Sequence, residues 1–100
     1  HINFSSTSIS DKAMAFVASS PNLVYLNLRN TSITDRGIAL IAKAQHLEYL
    51  NLVSTDITDK SINAIANIKT LLNIYTHDSG ITEKGIQLLK SALPNAKIVY

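Results

Sequence analysis

One hundred residues carry nine Lys and Arg against seven Asp and Glu, a formal net charge of +2, with 46% hydrophobic residues, 16% charged residues and no cysteine. That length implies one domain, and that balance implies a folded chain rather than a disordered one. It excludes the strongly basic footprint of a nucleic-acid binder and any disulfide staple, and no apolar run is long enough to span a bilayer.

In chain order, Ile2-Asn3-Phe4 alternates with period two and predicts a first strand. Ile9 closes the turn after it, and Ser10-Asp11 opens a helix over 11–20 with Met14 and Val17 facing inward. Pro21 and Asn22 end that helix. The second unit has a strand centred on Asn27, Thr34-Asp35 as its helix start, and Ile38, Ile41 and Ala44 as the inward stripe of a helix over 35–44. The third has a strand centred on Asn51, Thr58-Asp59, and Ile62, Ile65 and Ile68 over 59–68. The fourth has a strand centred on Tyr75, Thr82-Glu83, and Ile86 and Leu89 over 83–92. A fifth strand is expected at Ile98–Tyr100.

The units superimpose when shifted by 24 residues. Leu50 falls on Leu26 and Ile74, Thr55 on Thr7, Thr31 and Ser79, and Asp59 on Asp11, Asp35 and Glu83. A strand and helix of this length cannot bury their apolar sides alone, so the units must stack into one continuous core. The string T-x-I-T-D-x-G-I-x-x-I resembles the leucine-rich repeats of the ribonuclease-inhibitor-like group. It is closer still to bacterial repeats of the form L-x-x-L-x-L-x-x-T-x-I-T-D-x-G-L-x-x-L. The resemblance implies an α/β fold: a right-handed solenoid with a parallel sheet on the concave side and helices on the convex side. It also implies a role in binding proteins through the sheet, with the repeats often appended to a larger protein. The ending Leu89 to Ile98 resembles the close of such bacterial arrays, where a cysteine commonly stands in the place of Ala96. Residues 1–100 are therefore expected to form a single domain of four 24-residue repeats plus a terminal strand, the C-terminal part of an array, excised from a larger protein that continues upstream of His1 and ends near Tyr100.

Function is sought on the outward strand positions, which packing leaves free to vary. They form three columns: Tyr25, Tyr49 and Asn73, followed by Lys97; Asn3, Asn27, Asn51 and Tyr75, followed by Val99; and Ser5, Arg29, Val53 and His77. Tyr and Arg are the types most enriched at binding hot spots. This makes the concave face the candidate site for a protein or peptide, the rival reading being that tyrosines merely cover the sheet. A structural spacer, docked against a neighbouring domain, is the alternative function.

Catalysis is not expected. The hydroxyl–acid pairs at Ser10-Asp11, Thr34-Asp35, Thr58-Asp59 and Thr82-Glu83 read as four helix caps rather than a row of acids. The column Thr7, Thr31, Thr55 and Ser79 reads as hydrogen-bonding hydroxyls between neighbouring coils. His77-Asp78-Ser79 contains the types of a hydrolase triad, but adjacent residues in extended chain point apart. His46 is expected in solvent, and neither a metal-ligand spacing nor a phosphate-binding glycine loop is present, so no cofactor is expected. Gly37 and Gly85 read as close-packing sites. The first strand is expected to leave an open, apolar edge, to be covered by upstream repeats or by a second copy in a dimer.

Overall fold

The structure is a computed structural model that describes residues 1–20 and 22–100; Pro21, expected to end the first helix, lies outside the described residues. Five short strands, β1 (Ile2–Asn3), β2 (Tyr25–Asn27), β3 (Tyr49–Asn51), β4 (Asn73–Tyr75) and β5 (Lys97–Val99), form one parallel sheet in sequence order. Register follows the repeat without slippage: Ile2, Leu26, Leu50, Ile74 and Ile98 lie side by side. β2 to β5 centre one residue earlier than expected, on the inward-facing residue of each alternating triplet.

Among the described residues, four helices form the second layer. A 3-10 turn at Asp11–Ala13 leads into α1 (Met14–Ala18); α2 spans Asp35–Ile41; a 3-10 turn at Asp59–Ser61 leads into α3 (Ile62–Ala66); α4 spans Glu83–Ala92. All but α4 are shorter than expected. The two coils with glycine at the third helical position, Gly37 and Gly85, run α-helical from their acid onward, whereas those with Ala13 or Ser61 open as a 3-10 turn.

The core lies between the layers. Leu26, Leu50 and Ile74 are fully buried, as are Ile38, Ile41, Ile65 and Ile68 on the helix side. The ends differ from the middle. Ile2, Phe4 and Ile9 in the first coil are only partly buried, and β1 has a neighbour on one side alone. At the other end Leu93 is buried over the core, Ile98 is partly buried and Tyr100 is 55% exposed. Thr76 takes the inward slot held by Leu28 and Leu52; it is buried and its Oγ1 has no hydrogen-bond partner.

Each strand leaves the sheet through the same corner. Ser6, Asn30, Ser54 and Asp78 all have φ between 53° and 57°, in the left-handed region. The next residue closes the corner on its own coil: Thr7 Oγ1 donates to Phe4 O, Thr31 Oγ1 to Leu28 O, Thr55 Oγ1 to Leu52 O and Ser79 Oγ to Thr76 O, at 2.6–2.7 Å. The hydroxyl column was expected to bridge neighbouring coils. It acts within a coil instead, because the left-handed residue turns the hydroxyl back toward the carbonyl three residues earlier.

Candidate binding face on the concave sheet

Alternation along each strand puts the residues flanking Leu26, Leu50 and Ile74 on the face opposite the core. All of Tyr25, Asn27, Tyr49, Asn51, Asn73 and Tyr75 are half-buried there, and Arg29, His77 and Lys97 are exposed. Parallel register stacks like residues on adjacent strands. The Tyr25 and Tyr49 rings lie 4.1 Å apart at 8°, His1 stacks on Tyr25 at 4.0 Å, and Tyr75 sits tilted at 45° with its centroid 5.3 Å from Tyr49. The result is one aromatic ladder running across the strands. Val53 lies beside it, half-buried, in the column between Arg29 and His77.

The asparagine column has a second task. Asn3 Oδ1 accepts from Ser5 N, Asn27 Oδ1 from Arg29 N and Asn51 Oδ1 from Val53 N, at 2.9–3.0 Å. Backbone N–H groups can only donate, so these bonds fix which amide atom is the oxygen and leave the NH2 as the outward group. Asn51 Nδ2 donates to the Tyr49 hydroxyl at 3.4 Å. Burial in the stack, and then the neighbouring Tyr49 hydroxyl, raise the Tyr25 phenol above its ordinary pKa, so it stays a neutral donor.

A second ladder runs along the start of the helices, and it corrects the expectation of four identical caps. Thr58 and Thr82 do cap, accepting from Lys60 N and Gly85 N, but Ser10 and Thr34 make no such bond. The acids instead bind the following coil. Asp11 accepts from Thr34 N and Thr34 Oγ1, Asp35 from Thr58 N and Thr58 Oγ1, and Asp59 from Thr82 N and Thr82 Oγ1. Asp35 also accepts from Ser61 Oγ at 2.5 Å. A Cβ on Gly37 or Gly85 would collide with the Asp11 or Asp59 carboxylate, which is the close packing those glycines permit. Desolvation opposes ionisation of Asp35, but the Ser61 and Thr58 hydrogen bonds outweigh it and lower its pKa; the Thr82 bonds lower that of Asp59. The sequence reading missed that each coil also places a cation after its acid, at Lys12, Arg36, Lys60 and Lys84. Lys60 adds to the lowering at Asp35, and Lys84 does so at Asp59.

The remaining candidates do not assemble. Asp78 accepts from Ser54 Oγ and Ser79 donates to Thr76 O, so His77, Asp78 and Ser79 form no triad. His46 is exposed. Among the described residues no group of three or more His, Asp and Glu is placed to hold a metal, and no helix is long and apolar enough to cross a membrane.

Residues 19–42 and 43–66 each match the family model of a leucine-rich repeat. No curated protein matches the chain. A solved leucine-rich repeat protein of Leptospira interrogans is similar with a TM-score of 0.60 over 86% of this chain at 18% identity, a likeness of fold. This chain spans 27% of that one's length. Two matched repeats, a five-stranded parallel sheet of 24-residue register and that likeness give the chain the fold of a leucine-rich repeat solenoid.

Proposed function

We propose that this domain is a non-catalytic protein-binding module whose ligand lies on the concave sheet, against Tyr25, Asn27, Arg29, Tyr49, Asn51, Val53, Asn73, Tyr75 and His77. The aromatic ladder carries this reading. Its rings are half-buried and preorganised by stacking, so few rotamers remain to be frozen when a partner arrives. Leucine-rich repeat domains generally mediate protein–protein interaction, and the sheet offers the row of Tyr, Asn and Arg that such contacts favour.

A phage-displayed dodecapeptide library selected on the domain tests the proposal. Two variants sort the selected peptides: Arg29→Ala with Tyr49→Phe and Tyr75→Phe on the sheet, and Lys43→Ala with Lys60→Ala on the helix side. Thermal melts by circular dichroism establish that both fold. Peptides that lose the sheet variant and keep the helix variant support concave binding. Peptides with the opposite pattern place the contact on the convex layer and favour the docking-block alternative.

A further inference from the structure

We infer that the concave face is built for an extended, acidic protein segment lying along the aromatic ladder; the inference rests on the concave-binding reading above. No outward strand position carries a carboxylate, although the chain has seven acids. Asp11, Asp35 and Asp59 are engaged in the second ladder. Asp78 is held by Ser54 at the corner, Glu48 lies just before β3, Asp56 follows the corner after β3, and Glu83 opens α4. Cations, by contrast, stand on the face itself: Arg29 beside β2 and Lys97 on β5, both exposed. The polar groups between them lean the same way. Asn27 and Asn51 have committed their carbonyl oxygens to backbone N–H groups; Asn27 has its NH2 left to offer, and Asn51 has one N–H left after its bond to Tyr49. The Tyr49 hydroxyl already accepts from Asn51, which leaves its proton for an outside acceptor. Such a face is rich in donors and poor in acceptors, and its complement is rich in carboxylate and carbonyl oxygens.

Dimensions and ring geometry narrow the class. Five strands at the usual spacing make a row about 19 Å long, the span of about six extended residues. Single-stranded nucleic acid is disfavoured because it needs free ring faces for its bases. Here the faces of Tyr25 and Tyr49 are spent on each other and on His1. The same stacking takes from Tyr25 the platforms a sugar ring would use. An acidic peptide needs only the ring edges, hydroxyls and amides that point outward.

The test uses the library selection described above, read now by composition and by charge. The expected pool of sheet-dependent peptides is enriched in Asp and Glu and depleted in Lys and Arg. A fluorescein-labelled member should bind roughly tenfold more weakly to Arg29→Glu with Lys97→Glu, at exposed positions, while the melt is unchanged. A Lys-for-Glu version of that peptide should prefer the charge-reversed domain. Sheet-dependent peptides of neutral or basic composition, indifferent to charge reversal, would overturn the acidic assignment and leave concave binding standing. A pool with no sheet-dependent member overturns both. Tighter binding of a dodecathymidylate than of any selected peptide, lost on charge reversal, would assign the face to nucleic acid instead.

Discussion

The two ladders of this solenoid use the same 24-residue register in opposite ways. Along the helix starts, every acid from Asp11 to Asp59 is answered by the backbone and hydroxyl of the next coil, so the polar groups are consumed by the fold. Along the sheet, rings are answered by rings, but hydroxyls, amides and cations remain directed outward. A repeat therefore produces structure where its polar valences close on the next repeat. On the proposed reading, it offers a surface to a partner where they stay open. Exposure alone does not separate the two, since Asp59 and Arg29 are both exposed.

The largest effect lies beneath the sheet. Leu50 is fully buried between Leu26 and Ile74, and Leu50→Ala should destabilise by about 2–5 kcal/mol in denaturant melts. That sets the scale against which the ladders are compared. Asp35→Ala removes the acceptor for Thr58 N, Thr58 Oγ1 and Ser61 Oγ, and should destabilise by about 1–3 kcal/mol. Tyr49→Phe takes a hydroxyl from the other ladder while keeping the stacked ring, and should stay within about 0.5 kcal/mol. Equal losses from the two would break the comparison, because the sheet's polar groups would then serve the fold as much as the acids do.

Most of the fold is legible in the residues, and the reason is periodicity. Leu26, Leu50 and Ile74 hold one slot in sequence and one row in space, so a period of 24 predicts both the core and the sheet. The three concave columns follow from alternation, and Tyr25, Tyr49 and Tyr75 do share a face. What sequence does not show is where a polar side chain turns. Thr34 and Thr58 occupy the same slot, yet only Thr58 caps its helix, because capping depends on local geometry at the helix start. Asp35 looks like a first-turn acid, and its partners lie 23 and 26 residues ahead. The left-handed corner is half visible: Asn30 and Asp78 are types that tolerate it, while Ser6 and Ser54 give little signal.

Acid should act on the helix-start ladder alone. Asp35 and Asp59 have folded-state pKa values below the ordinary carboxylate range. Groups depressed in this way contribute stability that is present above the unfolded-state pKa and is lost as pH falls through the folded one. Thermal stability should therefore decline below about pH 4, and Asp35→Asn should flatten that decline. A decline of unchanged steepness in Asp35→Asn would assign the acid sensitivity to other carboxylates.

Between the ladders, Thr76 breaks the apolar column of Leu28 and Leu52 with a buried hydroxyl that has no partner. Valine has nearly the same shape and no polar atom. Thr76→Val should therefore stabilise the domain by about 1 kcal/mol. Destabilisation would mean that the hydroxyl finds an acceptor in solution.

A comparably small effect concerns the corner that joins the ladders, where the chain leaves the sheet on its way to the next acid. Ser54 holds φ at 57°, a conformation that strains a residue with a Cβ unless its side chain supports the backbone locally. Asn30 takes the equivalent corner one coil earlier, and asparagine is among the residues that visit this region most readily. Ser54 also donates to Asp78 Oδ2 at 2.9 Å, an exposed bond between neighbouring corners. Ser54→Asn relieves the backbone and retains a donor in the amide, so it should stabilise by about 0.5 kcal/mol. Ser54→Ala keeps the strain and loses the donor, so it should destabilise by a similar amount. Ser54→Gly falls between them, because glycine removes the strain but adds freedom to the unfolded chain. The order Asn, Gly, Ser, Ala in melting temperature would show that backbone conformation governs this corner. An order with Ser above both Asn and Gly would show instead that the Asp78 bond does, and the corner would then be a third ladder closed by its side chains.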